Sequence, residues 1–211
     1  MSIIFVLVGI IIGSLLFISI FYFRKYHKVL NQLKQVTIER DIDELTGVYN
    51  RTGFSRIARK VYDSHKRDRK TRVSFAYIDL DAFKLINDSK GHEFGDCVLK
   101  IFAVILTNTV RETDVVGRQG GDEFVILFTN SDDTQSFTIE DLLARMRTKF
   151  EEKVDELYAT YNETRPTSVS VSFGIAQHTA NRFNTLEELI IEADKSLYRN
   201  KALRGRCKIL S

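Results

Sequence analysis

The N-terminus of the chain is a long apolar run. No residue from Ile3 to Phe23 is charged, and a helix of this length, at about 1.5 Å per residue, spans about 31 Å, close to the thickness of a bilayer's hydrocarbon core. The Met-Ser start has no positive side chain, and no small-residue cleavage site follows the run, so a cleaved signal peptide fits poorly. We therefore predict a transmembrane helix in residues 1–23.

Positive residues follow the apolar run immediately. Arg24, Lys25 and Lys28 are the first charged side chains of the sequence. Because Lys and Arg concentrate on the cytoplasmic side of membrane helices, they predict a single-pass anchor whose C-terminal part is cytoplasmic. Residues 24–42 are predicted to form a helical stalk or linker, and residues 43–211 are long enough to form one domain with its own core.

Two hydrophobic periodicities alternate through the charged part of the chain. Strands are predicted at Val73–Leu80, on either side of Gly120-Gly121 within Asp114–Phe128, at Ser168–Ile175 and near Cys207–Leu210. Helices are predicted at Gly53–His65, Phe83–Ser89, Asp96–Val110, Thr138–Tyr158 and Leu186–Asn200. From Val73 to Ile175 the order is β-α-β-β-α-β, which predicts an α/β fold of the α+β type, a mixed sheet covered by helices.

Composition excludes several classes of protein. Aromatic residues make up 11% of the chain and hydrophobic residues 44%, which excludes intrinsic disorder. Two cysteines exclude a disulfide scaffold and are expected to be reduced cytosolic thiols. A formal net charge of +3 gives no reason to expect a nucleic-acid partner.

Acidic side chains stand at two predicted strand ends. Asp79 closes the first strand, and Asp122 and Glu123 follow Gly120 and Gly121 at the hairpin turn. If these strands are neighbours, the carboxylates meet at one sheet edge and offer the few hard oxygen ligands that suit Mg²⁺. The glycines would let phosphate oxygens approach the backbone, so the pattern predicts a metal and phosphate site.

The same residues also have a purely structural interpretation. Asp81 precedes a predicted helix and is expected to be its N-cap rather than a metal ligand. A Gly-Gly pair alone forms an ordinary hairpin turn, and exposed acidic residues often accompany one. Composition and spacing therefore leave both interpretations open.

Five motifs occur in order along the charged part of the chain. They are DELTGVYNR at 43–51; DLDAFKLIND at 79–88, followed by GH at 91–92 and GD at 95–96; RQGGDEF at 118–124; SVSFGIA at 170–176; and ADKSLY at 193–198. This series resembles the GGDEF family, the diguanylate cyclases. The resemblance implies a palm-like, nucleotidyl-cyclase-like fold and places the predicted anchor in a bacterial inner membrane.

The resemblance implies a reaction between two GTP molecules that yields cyclic di-GMP and two pyrophosphates. Each chain would supply one half-site, so the active form would be a homodimer. By position, Asp79, the Leu80 carbonyl and Asp122 correspond to ligands of Mg²⁺, with Mn²⁺ as an alternative ion. Asp122 and Glu123 are the expected catalytic residues, and Glu123 is assigned either to a second metal ion or to deprotonating the attacking hydroxyl.

Substrate contacts are also implied by the matching motifs. Asn87 and Asp96 correspond to the pair that reads the guanine edge, and a carboxylate at 96 can accept from guanine N1–H and N2–H₂ together, which favours GTP over ATP. The remaining expected substrate contacts are Lys84, His92, Lys201, Gly120 and Gly121. Beyond Lys201 the chain reads one residue longer than the family pattern, so the resemblance leaves open whether Arg204 or Arg206 reaches a phosphate.

Two further pairs match positions of the family. Arg111 and Asp114 lie where the family has its RxxD inhibitory site, which implies product feedback by cyclic di-GMP. Asp43 and Arg118 match a pair that docks the end of the stalk onto the domain. The alternative to a cyclase is a non-catalytic cyclic di-GMP receptor that uses the RxxD site, and a mixed-dinucleotide cyclase is disfavoured by Asp96.

Overall fold

A computed structural model divides the chain into two compact units, Met1–Arg40 and Asp41–Ser211. The structure describes residues 13, 15–29, 41–67, 72–130, 138–177 and 185–209. In the first unit residues 15–29 are helical, with exposed apolar side chains such as Phe17 and Tyr22. Residues 1–12 and 14 of the predicted anchor and 30–40 of the predicted stalk lie outside the described residues. No helix among the residues described combines the length and apolar character that a bilayer crossing requires.

The second unit follows the predicted order of elements. These are α1 (Arg51–Arg67), β1 (Arg72–Asp81), α2 (Phe83–Lys90), α3 (His92–Thr109), β2 (Val115–Gly120), β3 (Glu123–Asn130), α4 (Ile139–Ala159), β4 (Ser170–Gln177) and α5 (Leu186–Ile209). The β-α-β-β-α-β arrangement is confirmed. The strand predicted near Cys207–Leu210 is wrong, because α5 continues through Ile209.

The sheet has the order β2-β3-β1-β4, and β1 lies between β3 and β4. All three ladders are antiparallel, so the prediction of a mixed sheet is wrong. The reason lies in the split unit itself: β1 and β2 run in the same direction, but β3 is inserted between them and runs against both. β1 is consequently the strand whose C-terminal end is flanked by partners on both sides.

Part of each outer edge of the described sheet is hydrogen-bonded to other segments of the chain. At the β2 edge, the backbone N–H of Tyr49 donates to the carbonyl of Val116 at 3.2 Å, and the N–H of Arg118 donates to the carbonyl of Tyr49 at 2.8 Å. At the β4 edge, side chains donate to backbone carbonyls. The pairs there are Arg165 Nη1 to Val169, Arg147 Nε to Val171 at 2.8 Å and Asn200 Nδ2 to Phe173 at 2.8 Å.

Alternating residues of β1 contribute to two hydrophobic layers. Ile78 and Leu80 belong to the core between the sheet and α2, α3 and α4, whereas Phe75 belongs to the core shared with α1 and α5. Full burial of such a side chain contributes about 1.5–3 kcal/mol to the stability of the folded state. By the same alternation, Tyr77 and Asp79 lie on the face of the sheet that α1 and α5 cover.

Candidate active site

The turn between β2 and β3 carries the first acidic residue of the site. Gly120 pairs with Glu123, which leaves Gly121 and Asp122 as a two-residue loop. Gly120 and Gly121 have φ angles of 146° and 53°, a region that costs glycine little and other residues more. The N–H of Leu80 donates to the carbonyl of Asp122 at 3.3 Å, which fixes the turn beside the end of β1.

A cleft of about 890 Å³ opens where β1 ends. Several predicted metal and phosphate residues line it together: Asp79, Leu80, Lys84, Asp122 and Lys201. It is also lined by Asp81, Arg147 and Ser172 and by further hydroxyl side chains. Acidic groups and ammonium groups thus share one concave surface, as a metal-bound polyphosphate would require.

Asp79 is partly buried in the cleft and pairs with a cation. Its carboxylate Oδ1 lies 2.5 Å from Lys201 Nζ, and 16% of its side chain is exposed. Burial raises the pKa of Asp79, the Lys201 ammonium opposes that rise, and the nearby charges of Asp122 and Asp81 add to it. The environment therefore favours a positive partner for this carboxylate.

The oxygen ligands here suit a hard cation that is only partly enclosed by protein. Among the described residues, no group of three or more His, Cys, Asp and Glu side chains is arranged to hold a metal ion. Asp79 and Asp122 with the Leu80 carbonyl offer two carboxylates and one backbone oxygen. Mg²⁺ commonly binds to one or two carboxylates and completes its shell with water and substrate phosphate, so these residues fit it.

Asp81 is not the N-cap that was predicted. The chain turns into α2 at Ala82, whose φ of 59° is left-handed, and α2 has no side-chain cap. Both oxygens of Asp81 instead accept from Ser172 Oγ, at 2.7 and 2.8 Å. Because Ser172 is buried on β4, the carboxylate of Asp81 is held at the wall of the cleft rather than over the helix.

The predicted guanine-reading residues lie on consecutive helices. Asn87 is on α2 and Asp96 on α3, and neither is among the residues lining the cleft described above. The backbone N–H of Gly91 donates to the carbonyl of Asn87 at 2.9 Å and begins the turn between the helices. A Cβ added at Gly95 would overlap Asn87 Oδ1, so this close approach depends on glycine. His92 is exposed at the first residue of α3.

The predicted inhibitory residues play different structural parts. The Asp114 carboxylate accepts from the backbone N–H of Arg111 at 3.0 Å and from the backbone N–H of Thr129 at 2.9 Å. Asp114 therefore shapes the turn between α3 and β2. The contact of Arg111 with Asp114 is made by its backbone N–H, and its side chain is exposed.

Asp43 and Arg118 are in direct contact. Arg118 Nη1 donates to the two carboxylate oxygens of Asp43 at 3.0 and 3.2 Å. Burial alone would raise the pKa of Asp43, but the Thr46 hydroxyl and the Arg118 guanidinium outweigh it and lower the pKa below its ordinary value. The ion pair joins the start of the domain to the strand that leads into the turn.

Three side chains at the site were missed by the sequence analysis. Ser172 holds Asp81, Arg147 lines the cleft, and the Tyr77 hydroxyl donates to Glu123 Oε2 at 3.0 Å. Alternation along β1 places Tyr77 and Asp79 on one face, but only the register of β1 against β3 brings Tyr77 to Glu123. Burial raises the pKa of Tyr77 far above its ordinary value, and the Glu123 charge adds to it.

The order of motifs along the chain matches a known family. The model of the family described as "Diguanylate cyclase, GGDEF domain" matches residues 40–207. The chain belongs to this family. The GGDEF motif itself therefore coincides with the β2–β3 turn and the first residues of β3.

Similar proteins come from several bacteria. The chain is 32% identical over 180 residues to diguanylate cyclase DgcS of Shewanella oneidensis, covering 85% of this chain and 56% of DgcS. The structure of diguanylate cyclase SiaD with its activator SiaC from Pseudomonas aeruginosa is 28% identical, with a TM-score of 0.64 over 85% of this chain and 65% of that chain.

A third similarity concerns the fold alone. The coiled coil and GGDEF domain of DgcB from Caulobacter crescentus, in complex with c-di-GMP, aligns at 24% identity with a TM-score of 0.64, over 86% of this chain and 90% of that chain. The chain spans about half the length of several curated relatives that it matches.

Proposed function

We propose that the protein is a diguanylate cyclase that condenses two GTP molecules into cyclic di-GMP and two pyrophosphates. The observation that carries this proposal is the convergence of Asp79, Leu80 and Asp122 with Lys84 and Lys201 on one cleft. Carboxylates that can hold a cation lie there beside ammonium groups that can bind phosphates. Membership of the GGDEF family and the similarity to DgcS support a role in cyclic di-GMP synthesis.

In the proposed reaction the 3′-hydroxyl of one GTP attacks the α-phosphorus of the other. The new O–P bond replaces the bond between the α-phosphorus and the oxygen bridging to the β-phosphate, so pyrophosphate leaves. The hydroxyl proton passes to a base, for which Glu123 is the candidate unless it holds a second cation. A reciprocal attack closes the ring. Since each chain carries one half-site, the proposal requires a homodimer.

The ion expected at this site is Mg²⁺, with Mn²⁺ as the alternative. Asp79, Asp122 and the Leu80 carbonyl would hold it. When bound, the ion neutralises the charge that develops on the phosphates. Lys84 and Lys201 are proposed to bind phosphate oxygens.

Nucleotide choice is proposed to depend on α2 and α3. Asp96 would accept from two guanine N–H groups that adenine does not present together, and Asn87 would complete the contact. His92, Gly120 and Gly121 stay predicted substrate contacts. Competition between ATP and GTP that yields a mixed dinucleotide would contradict this assignment.

Product feedback and membrane anchoring complete the proposal. Arg111, whose side chain is exposed, is proposed to bind cyclic di-GMP together with Asp114.

A single-pass anchor in the inner membrane, with the GGDEF domain in the cytoplasm, is supported by three features of the N-terminal segment. These are the uncharged run in residues 3–23, the exposed apolar side chains of residues 15–23 and the positive residues that follow. Fractionation of cells that express the chain tests this location, and recovery in the soluble fraction would contradict it.

The activity is tested with purified full-length protein, GTP and Mg²⁺, with mass spectrometry used to detect pppGpG and cyclic di-GMP. We expect Asp122→Ala to reduce turnover by about 100-fold or more. The control is Glu152→Ala, which removes an exposed acid on α4 and is expected to keep wild-type turnover. Absence of both products in a preparation shown to be dimeric would refute the proposal. Binding of cyclic di-GMP without turnover, abolished by Arg111→Ala, would instead favour the receptor.

A further inference from the structure

We propose that Tyr77 is a positioning residue that orients the carboxylate of Glu123 for the reaction. The inference rests on the proposed cyclase function and deepens it. The Tyr77 hydroxyl donates to Glu123 Oε2 at 3.0 Å, and Glu123 directly follows Asp122 at the site. A hydrogen bond to a charged acceptor is among the stronger contacts that a neutral donor can make.

The register of the sheet brings these two residues together. Asp79 pairs with Glu123 across the β1–β3 ladder, and Tyr77 lies two residues before Asp79 on the same face of β1. Tyr77 is thus the diagonal neighbour of Glu123, a separation that an aromatic side chain can span. The bond to Glu123 therefore runs along the sheet face toward the end of β1 that opens into the cleft.

The ring that carries the hydroxyl is itself fixed. Tyr77 packs against the hydrophobic layer beneath α1 and α5, with its ring centroid 6.4 Å from that of Phe75. Besides Glu123, the charges of Arg51 on α1 and Asp194 on α5 interact with the Tyr77 hydroxyl. Glu123 has three rotatable side-chain bonds, so a fixed donor restricts the positions that its carboxylate samples.

A carboxylate that deprotonates a hydroxyl or binds a second cation works only within a narrow range of positions. Displacing a group of this kind by about 1 Å can reduce a rate severely. Loss of a partner that orients a functional ligand commonly costs about 10- to 100-fold in activity or affinity. Either assignment of Glu123 therefore gives the Tyr77 hydroxyl a measurable effect on turnover.

The test compares Tyr77→Phe with Tyr158→Phe in the full-length protein. Both changes delete one hydroxyl and keep the aromatic ring, which is partly buried at Tyr77 and buried at Tyr158. Tyr158 lies in the other hydrophobic layer, its ring centroid is 5.0 Å from that of Phe94, and its hydroxyl has no hydrogen-bond partner among the described residues. We expect Tyr77→Phe to lower kcat by about 10-fold with little change in the KM for GTP, and Tyr158→Phe to leave both unchanged.

A second measurement separates positioning from a loss of packing. If Tyr77 acts through Glu123, adding Tyr77→Phe to Glu123→Gln lowers kcat no further than Glu123→Gln alone. Equal factors in both backgrounds, a change confined to the KM for GTP, or unchanged kcat in Tyr77→Phe would each overturn the inference. Wild-type turnover in the same assay distinguishes these results from failure of the cyclase proposal, which would leave the wild type itself inactive.

Discussion

Arg118 donates two hydrogen bonds to the carbonyl oxygen of Gly121, from Nε at 2.9 Å and from Nη2 at 2.7 Å. The third nitrogen, Nη1, donates to the carboxylate of Asp43. One guanidinium therefore connects the first residues of the GGDEF domain to the turn that carries Asp122. The acidic partner of this ion pair lies 75 positions before Arg118 in the sequence.

This bridge can be measured with a double-mutant cycle on Asp43→Ala and Arg118→Ala. Each change leaves the other residue charged but without its oppositely charged partner. The side chains of Asp43 and Arg118 are only 23% and 13% exposed. We expect each to lower the free energy of unfolding by about 1–3 kcal/mol, with a coupling energy of about 0.5–3 kcal/mol. Urea denaturation provides the values. Strictly additive losses would mean that the two residues do not act on each other.

A matched control for that cycle lies on α4. Lys153 and Glu156 form an ion pair with side chains 56% and 64% exposed. Because water screens such a pair, its coupling energy is expected to be about 0–1 kcal/mol. A coupling for Asp43 and Arg118 no larger than this control would show that their contact is incidental.

The Asp43 carboxylate should also make stability depend on pH. The lowered pKa of Asp43 lies below its ordinary value of 3.8, so its stabilising contribution is complete above that value and is lost as the pH falls through the folded-state pKa. We expect the wild type to lose more free energy of unfolding than Asp43→Asn when the pH is lowered from neutrality to below 3.8. Parallel losses in the two proteins would contradict this.

Replacing Gly95 by Ala should weaken binding of the guanine base. The added methyl group would overlap Asn87 Oδ1 and lie 3.2 Å from Phe83 Cζ, so the Asn87 side chain must move. If Asn87 reads the base, the KM for GTP should rise by about 10-fold, the cost of one hydrogen bond. Cys97→Ala, an exposed change on the same helix, is the control and should leave the KM unaltered.

The two residues of the proposed inhibitory site should respond differently to mutation. Asp114→Ala removes the acceptor of the Arg111 and Thr129 backbone N–H groups, and we expect a loss of about 1–3 kcal/mol in the free energy of unfolding. Arg111→Ala removes an exposed side chain and should weaken cyclic di-GMP binding at unchanged stability. Calorimetric titration and urea denaturation measure the two effects. An Asp114→Ala protein as stable as the wild type would contradict the structural role.

The sequence was sufficient to predict the features that short-range patterns encode. The Gly120-Gly121 pair marked the hairpin, and the apolar run ending at Asp79 marked the central strand with its acid at the C-terminal end. The motif series also identified Asp43 and Arg118 as a pair, and the structure has them in contact. The hairpin and the strand need only local propensity, whereas the pair was identified by the resemblance of the motif series to the GGDEF family.

Other features depend on register and long-range packing. The bond from Tyr77 to Glu123 exists because Asp79 pairs with Glu123, which no local pattern specifies. Asp81 resembled a helix cap, yet the left-handed turn at Ala82 delays the helix and leaves the carboxylate to Ser172 on β4. The antiparallel sheet likewise follows from where β3 inserts, which the order of elements alone leaves open.

The hydrogen-bonded parts of the sheet edges bear on how two copies can meet. Tyr49 occupies the β2 edge, and Arg165, Arg147 and Asn200 donate to carbonyls along the β4 edge. A second chain that paired with these parts of the edges would have to displace them. We therefore expect the partners of the proposed homodimer to come together and separate as folded bodies, so that turnover rises with the local density of chains rather than being fixed when they fold.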